Sequence, residues 1–295
     1  MAELSVSALI TNYNTWKLSL LCAQKCVEME GGNLKQILVY DDCSPEPMTV
    51  EFPPQVTLVR APENTGLSKA LNRAYALAEG DVIVQFDADA YPTAPFADEL
   101  RTLFAADPGL GLVAFRTTGS RGQTTESSMT EPNLWGLLLG QALFARLERW
   151  LGDKSGRVSV TMCAMGVRKA AFDEIGGFDE KLGFLDIDHD FSMRMNRSRW
   201  RVAISDRLKA FHEGGGTKTR ARKRLLLFYQ SRWHLLMKFG KIRSRRLAKA
   251  LILLRLLVEL GVLKAAGRWL YADAETRFDK VQGRKDLIHY CSHNY

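Results

Sequence analysis

Two carboxylates, Asp87 and Asp89, follow directly after the apolar run 82–86. Carboxylate oxygens are ligands that Mg²⁺ and Mn²⁺ prefer, and these ions complete their coordination with water and substrate phosphate. Such a D-x-D tripeptide is common and can also form a solvated turn. At the end of a buried strand, however, neighbouring negative charges repel each other unless a cation or solvent relieves them. We therefore expect Asp87 and Asp89 to bind a divalent metal ion.

A second acidic pair, Asp41 and Asp42, follows the apolar run 36–40 and precedes the turn-forming residues Ser44 and Pro45. An aspartate in this position can accept hydrogen bonds from a nucleobase imide or a ribose hydroxyl. It can equally cap the turn by accepting hydrogen bonds from nearby backbone amides. The pair by itself leaves both interpretations open.

A third acidic group contains Asp186, Asp188 and Asp190, close to the predicted start of a helix. The helix dipole favours negative charge at this end, so capping by Asp186 or Asp188 is one explanation. A carboxylate that is held rigidly there could also serve as a general base. The spacing alone does not choose between a cap and a base.

Strands and helices alternate along the first part of the chain and must position these carboxylates. The hydrophobic pattern predicts strands over 5–10, 36–40, 57–60 and 82–86, and helices over 17–28, 67–79 and 95–106. This alternation is typical of an α/β fold with a Rossmann-like, mostly parallel, doubly wound sheet. Ligands of such sheets bind beyond the carboxyl ends of the strands, which is where the acidic pairs fall.

The pattern weakens after residue 115. A polar loop over 117–128 and an apolar helix over 134–151 indicate an insertion packed on the core or a lid over the acceptor, before a strand resumes over 158–167. We expect a catalytic domain over 1–217, divided into halves over 1–115 and 116–217. A basic helical region follows over 218–295.

The net charge of +8 is concentrated in one segment. Residues 214–258 contain thirteen Lys and Arg and no Asp or Glu, so the rest of the chain has 28 basic against 33 acidic residues. A nucleic-acid binder is disfavoured, because the rest of the chain is acidic and no recognition motif accompanies the basic segment.

The basic segment contains cationic blocks that alternate with apolar runs between 218 and 270. Helices of this composition can lie on an anionic membrane, and Trp233, Phe239 and Trp269 are the expected anchors. A helical hairpin packed on the catalytic domain is the alternative. The apolar run 247–263 is interrupted by Lys249, Arg255 and Glu259, so no transmembrane helix is predicted.

The five cysteines lack paired spacings, so free thiols and a reducing compartment are expected. The N-terminus shows a strand pattern without a basic region or cleavage site, so no signal peptide is predicted. These features predict a cytoplasmic protein, with peripheral attachment to the cytoplasmic membrane face if the basic segment binds lipid.

Several short motifs follow one another in a fixed order. They are Leu9-Ile10-Thr11-Asn12-Tyr13-Asn14, Asp41-Asp42-Cys43-Ser44, Glu63-Asn64-Thr65-Gly66 with Asn72, Gly80-Asp81, and Asp87-Ala88-Asp89. Their order and spacing resemble the family 2 glycosyltransferases of the GT-A fold, over residues 4 to about 240. Residues 175–194 resemble the acceptor-side block of that family, a Gly-Gly-Phe-Asp turn followed by acidic residues and an arginine. The arginine lies six residues beyond the family's catalytic aspartate, a register that selects Asp188.

The resemblance implies an inverting, metal-dependent hexosyltransferase that moves a sugar from a nucleoside-diphosphate donor to an acceptor hydroxyl, with Asp188 as the base. It makes 1–115 the nucleotide-sugar half of the catalytic domain and 116–217 the acceptor half. It implies Mg²⁺ or Mn²⁺ as the cofactor, held by Asp89, Asp87 and His212. A surface-loop role for His212, which precedes the glycine run 214–216, is the alternative. The residues implied to lie near the nucleotide sugar are Thr11, Asn12, Tyr13, Asp42, Asn64, Gly66, Asn72 and Asp87.

The sequence departs from the family at Ile187, where the family usually has Glu, and the motif can also be aligned on Asp186 or Asp190. This departure keeps open a non-catalytic protein of the same fold that binds nucleotide sugars or assembles partners. The block 212–232 most resembles bacterial rhamnosyltransferases and related cell-surface polysaccharide transferases. That likeness implies a polysaccharide or lipid-linked glycan as the acceptor.

Overall fold

The computed structural model describes residues 3–125, 127–140, 143–144, 146–147, 158–212 and 221–295. By its internal contacts the chain divides into two compact units. The first contains Met1–Glu131 and Arg157–Gly216, and the second contains Pro132–Gly156 and Thr217–Tyr295.

The first unit contains an eight-stranded mixed sheet. Its strands are β1 (Val6–Asn12), β2 (Gln36–Asp41), β3 (Val56–Arg60), β4 (Val82–Phe86), β5 (Ala90–Pro92), β6 (Leu110–Thr118), β9 (Ala164–Arg168) and β10 (Arg201–His212), with β7 (Ser128–Met129) and β8 (Ser159–Val160) forming a separate ladder. The order in the sheet is β3-β2-β1-β4-β9-β6-β10-β5. Strands β1 to β4 run parallel and β6 runs parallel to β10, whereas β9 is antiparallel to β4 and β6, and β5 is antiparallel to β10. The mostly parallel α/β sheet predicted from the sequence is therefore confirmed.

Helices cover the sheet of the first unit and make up most of the second. Those of the first unit are α1 (Trp16–Glu30), α2 (Leu67–Leu77), α3 (Ala97–Ala106), α5 (Lys169–Glu174) and α6 (Ile187–Met195). Those of the second unit are α4 (Leu134–Leu139), α7 (Ala221–Lys238), α8 (Arg245–Leu270) and α9 (Ala274–Asn294).

The main apolar core lies between the sheet and the helices α1 and α3. Alternate residues of β1 point into it, since successive side chains of a strand face opposite sides. Cys22 and Cys26 of α1 and Leu100 of α3 complete this core, and all three are fully buried. The Glu30 carboxylate accepts hydrogen bonds from the Phe96 and Ala97 amides, which satisfies otherwise unpaired donors at the start of α3.

A second, aromatic cluster joins α2 to the segment 172–191. The rings of Tyr75 and Phe172 stack with centroids 4.0 Å apart, and those of Phe178 and Phe191 lie 4.6 Å apart. Offset and edge contacts of this kind add to the stabilisation from burial alone. The cluster thereby fixes the position of α6, whose first turn contains Asp188 and Asp190.

Helices α7, α8 and α9 pack against one another in the second unit. Ile252 and Leu256 of α8 and Leu287 of α9 are almost fully buried. The expectation that Trp233 is a membrane anchor is wrong, because its side chain is buried and its ring stacks on Tyr295 at 3.7 Å. Across the described residues, no helix combines the length and low polarity needed to cross a bilayer.

Two predicted elements differ from the structure. The strand expected over 158–167 is divided into β8 and β9, because residues 161–163 form a turn between them. Of the helix expected over 134–151, only part lies within the described residues, where α4 covers Leu134–Leu139. All five cysteines are free thiols, as expected.

Candidate active site

The carboxyl ends of β1, β2 and β4 meet at one edge of the sheet. Asn12 pairs in register with Asp41, and Ile10 pairs with Phe86, the residue before Asp87. Strand β10 runs antiparallel to β5 and brings His212 opposite Ala90. Residues far apart in sequence are therefore gathered where a ligand of such a sheet binds.

Asp87, Asp89 and His212 form a group that could hold a metal ion. Each offers one ligand atom, and these atoms lie within 4.8 Å of one another. His212 Nε2 lies 3.7 Å from Asp89 Oδ1, and both side chains are partly buried. Two carboxylates and one imidazole suit Mn²⁺ well, and the carboxylates also suit Mg²⁺. The residues expected to bind the metal are thus brought together.

The charge around Asp87 also fits a cation. Its pKa is raised to about 7, first by burial and then by the negative charges of Asp89 and Asp188. All three causes disfavour the ionised carboxylate, and a divalent cation beside it would offset them. The same influence identifies Asp188 as a neighbour of this group, although it lies on a different element.

Asp188 lies in the first turn of α6 and is partly buried. Its Oδ1 accepts a hydrogen bond from the His189 amide at 2.8 Å. Asp186 occupies the position before the helix in a left-handed conformation (φ 62°) and makes no side-chain cap. Capping by Asp186, which the sequence left open, is therefore wrong.

Asp190 serves a structural purpose in the same helix. It is fully buried, and its Oδ2 accepts a hydrogen bond from Arg194 Nε at 2.8 Å. Arg194 also donates to the Ile175 carbonyl, which ties α6 to the end of α5. Ile187, at the position where glutamate was expected from the resemblance, is buried in the core. Of the three aspartates at the start of α6, Asp188 is the one whose charge raises the pKa of Asp87, after the larger effect of burial. Asp190 is instead paired with Arg194.

Asp41 and Asn12 form the base of a buried polar network. Asn12 Nδ2 donates to Asp41 Oδ1 at 2.7 Å, and its Oδ1 accepts from the Ser19 hydroxyl at 2.8 Å. Asp41 also accepts from the amide and hydroxyl of Ser44, and its Oδ2 lies 3.3 Å from Arg60 Nε. The predicted ligand-binding residue Asn12 is therefore used within the protein to hold the turn after β2.

Asp42 holds the loop before α2. Its carboxylate accepts hydrogen bonds from Asn64 Nδ2, the Thr65 amide and the Gly66 amide at 2.9 to 3.0 Å. Gly66 has a φ of 84°, a conformation that L side chains rarely adopt. Three of the expected nucleotide-binding residues, Asp42, Asn64 and Gly66, are consequently joined in one network.

Asn72 is placed differently from the other expected nucleotide-binding residues. Its Oδ1 accepts from the Phe178 amide at 2.8 Å, and its Nδ2 donates to the Phe178 carbonyl at 3.0 Å. A Cβ added at Gly177 would lie 2.6 Å from Asn72 Oδ1, so this close contact requires glycine. Asn72 thus connects α2 to the turn before α6.

Thr11 is partly buried near the end of β1, and Tyr13 follows the strand with half of its surface exposed. The glycine run 214–216 after His212 lies outside the described residues. Sequence analysis missed Ser159, whose hydroxyl lies 2.9 Å from His189 Nδ1, and Ser192, which accepts a hydrogen bond from the Val160 amide. These contacts hold β8 beside α6, and no local pattern indicates them because they join separate elements.

This α/β fold is that of the GT-A glycosyltransferases. The family model described as Glycosyl transferase family 2 matches residues 7–176, and the chain belongs to this family. No match was found among curated protein sequences.

Two solved structures show the same fold. One is the mannosyltransferase PcManGT from Pyrobaculum calidifontis in complex with GDP-Man and Mn²⁺, with 16% identity and a TM-score of 0.56 over 98% of this chain and 88% of that one. The other is TarS 1-349 of S. aureus, with 13% identity and a TM-score of 0.51 over 99% of this chain and 92% of that one.

Proposed function

We propose that this protein is an inverting, metal-dependent hexosyltransferase that transfers a sugar from a nucleoside-diphosphate donor to an acceptor hydroxyl. The observation that carries the proposal is the convergence of Asp87, Asp89 and His212 within 4.8 Å, with Asp188 close enough to influence Asp87. The family relationship supports transfer of a glycosyl group, and the relative PcManGT was solved with GDP-Man and Mn²⁺.

Asp87, Asp89 and His212 are the residues that would hold Mg²⁺ or Mn²⁺. When bound, the ion would supply positive charge for the leaving diphosphate. The donor nucleotide is proposed to lie along the edge formed by β1 and β2, beside Thr11, Tyr13 and the network of Asp42. In this arrangement Asn12, Asn64, Gly66 and Asn72 contribute by fixing the loops that border the donor, which is a positioning role.

Asp188 is proposed to accept the proton of the attacking acceptor hydroxyl. Attack from the face opposite the leaving group inverts the configuration at the anomeric carbon, and the carboxylate must lie on the acceptor side. Its position in the first turn of a packed helix supports this role, because the side chain is held rigidly there. Asp190 is unsuited to the role, since it is fully buried and paired with Arg194.

The acceptor is proposed to be a cell-surface polysaccharide or a lipid-linked glycan, with rhamnosyltransferase-like activity as the first to test. We also propose a cytoplasmic location with peripheral attachment to the membrane, since the basic segment between 218 and 270 carries the cationic excess. Nucleic acid is not proposed as a partner, because the remaining chain is mildly acidic.

The proposal can be tested with the full chain and a panel of dTDP-, UDP- and GDP-sugars. Release of nucleoside diphosphate is measured with Mn²⁺, with Mg²⁺ and with EDTA, and the anomeric configuration of the product is read by NMR. Asp188→Asn should lower turnover by about a hundredfold to ten-thousandfold while donor binding is kept, because only the base is removed.

Asp186→Asn is the matched control, because asparagine tolerates the left-handed conformation that Asp186 adopts. This variant should retain turnover. Full transfer by Asp188→Asn would overturn the assignment of the base. Metal-dependent donor binding without any turnover by the unmodified chain would favour a non-catalytic sugar-nucleotide binder instead.

A further inference from the structure

One side of α8 carries a row of exposed apolar side chains. Leu254 has 59% of its surface exposed and Trp269 has 92%. The members are spaced three, four or seven residues apart, so they lie along one side of the helix. We call this set the exposed row; it consists of Leu247, Leu251, Leu254, Val258, Val262 and Trp269.

The opposite side of α8 already packs on its neighbours. Ala248, Ile252 and Leu256 are almost fully buried in the second unit. The exposed row is therefore additional to the apolar surface that holds α8 in place. Contiguous exposed apolar surface of this kind marks a contact with another molecule or a membrane.

Cations lie beside the exposed row. Arg246 and Lys264 are both exposed and are separated by 18 residues, which corresponds to about five full helical turns, so they share one edge of the helix. Arg268 lies four residues beyond Lys264 on the same edge. The one acidic residue of α8, Glu259, is engaged by Arg255 and Arg284 within the unit.

We propose that the exposed row of α8 docks on a membrane surface that contains anionic lipids. The apolar side chains would enter the boundary of the acyl chains while Arg246, Lys264 and Arg268 contact the head groups. An anionic lipid surface supplies the opposite charge to this edge. A second copy of the same surface would place cations against identical cations, which disfavours a dimer through this row.

This proposal assigns a docking face to the peripheral attachment proposed above, and it does not depend on the transfer reaction. Binding of the full chain to vesicles is measured by flotation. One set contains phosphatidylcholine alone, and the other contains about one third phosphatidylglycerol. The unmodified chain should float with the anionic vesicles, bind them at least about tenfold more tightly than neutral ones, and lose binding as salt rises.

Two double variants separate the apolar and the ionic contributions. Leu254→Asp with Val258→Asp, and Arg246→Glu with Lys264→Glu, should each weaken binding to anionic vesicles by at least about tenfold. Leu77→Asp and Lys35→Glu, which alter exposed residues of the first unit, are the matched controls and should bind normally. Circular dichroism confirms that each variant is folded.

Trp269 provides a direct probe of the contact. Its emission should shift to shorter wavelength when anionic vesicles are added, and the shift should be absent in Trp269→Phe. Equal binding by the variants of the exposed row and the unmodified chain would overturn the proposal. A dimer in light scattering that dissociates in Leu254→Asp with Val258→Asp, without vesicle binding, would also overturn it. Donor turnover on a soluble acceptor is measured in parallel, so loss of docking is distinguished from loss of transfer.

Discussion

Asp41 and Asp42 at the end of β2 and Asp87 and Asp89 beyond β4 lie at the same edge of the sheet, but their surroundings differ. The first pair accepts hydrogen bonds from backbone amides, hydroxyls and the Asn12 and Asn64 amides. At the second pair, burial and then the negative charges of Asp89 and Asp188 raise the pKa of Asp87. The protein supplies hydrogen-bond donors to the first pair, whereas charge at the second pair would be neutralised by the proposed metal ion.

This difference separates two uses of the same sequence signal. An acidic pair after a buried strand can build the turn that shapes a site, or it can bind the ion that the site requires. The distinction depends on which donors the rest of the chain supplies. Variants of the two pairs should consequently fail in different ways, one in stability and the other in activity.

Among variants of the two acidic pairs, the largest effect is expected from Asp89→Asn, which removes one charge from the proposed metal group while keeping the shape of the side chain. Turnover with Mn²⁺ should fall by about a thousandfold, or about 4 kcal/mol, because charge stabilisation at the leaving group is lost. Mn²⁺ titration by calorimetry and assays of donor turnover test this. The free energy of unfolding in urea should be unchanged. Retention of full metal-dependent turnover would contradict the distinction drawn between the two acidic pairs.

The pH dependence of stability should follow Asp87 when metal is removed with EDTA. Its pKa of about 7 lies above the ordinary value of 3.8, so the folded state keeps a proton that the unfolded chain loses. The free energy of unfolding should therefore fall as the pH rises from about 4 to about 7, by about 1.4 kcal/mol per unit at most. Urea unfolding across this range measures the slope.

Asp87→Asn should flatten that slope, and saturating Mn²⁺ should do the same in the unmodified chain. Asp81→Asn is the control, because hydrogen bonds from the Ser5 hydroxyl and amide lower the pKa of Asp81. The contribution of Asp81 to the free energy of unfolding is present above the ordinary pKa and is lost as the pH falls. Its pH dependence therefore has the opposite sign to that of Asp87. A slope that persists in Asp87→Asn would show that another group is responsible.

A smaller loss, in stability, is expected from Asp42→Ala. The variant leaves the Thr65 and Gly66 amides without their acceptor, which should lower the free energy of unfolding by about 2–3 kcal/mol. Asp89→Ala is the matched control and should cost nothing measurable in the absence of metal. Equal losses in both variants would remove the distinction between the two pairs.

The smallest effect is expected from Cys43→Gly in the turn after Asp42. Cys43 has a φ of 58°, a left-handed conformation that is costly for a side chain and free for glycine. Glycine should therefore stabilise the turn by about 0.5–1 kcal/mol in thermal or urea unfolding. Asn14→Gly, at a φ of 57°, should show no such gain, because Asn14 Oδ1 accepts a hydrogen bond from the Glu46 amide.

The sequence was sufficient to predict the alternation of strands and helices and the gathering of Asp87, Asp89 and His212. These features follow from local periodicity, from the rule that parallel strands share a ligand-binding edge, and from family likeness. It could not predict that β9 would insert antiparallel between β4 and β6, since strand order depends on contacts between distant segments. The hydrogen bonds of Asn12 within the protein could not be predicted for the same reason, because its partners Asp41 and Ser44 lie about thirty residues away.

The surface of α8 illustrates a similar limit. The alternation of charge and apolar residues indicated an amphipathic segment, but Trp233 and Trp269 have the same sequence signal and opposite exposures. Only the packing of α7 on its neighbours distinguishes them. Burial of one aromatic side chain and exposure of another is a property of the assembled unit.

His212 lies at the end of β10, the longest strand of the sheet. Asp87 and Asp89 follow β4, which lies near the middle of the sheet. About two fifths of the chain separates His212 from these aspartates. An ion shared by the three side chains would act as a noncovalent cross-link that closes a very long loop. Unfolding of β10 would then release the metal, so the affinity for Mn²⁺ would report on the integrity of a strand that contains only one of its ligands.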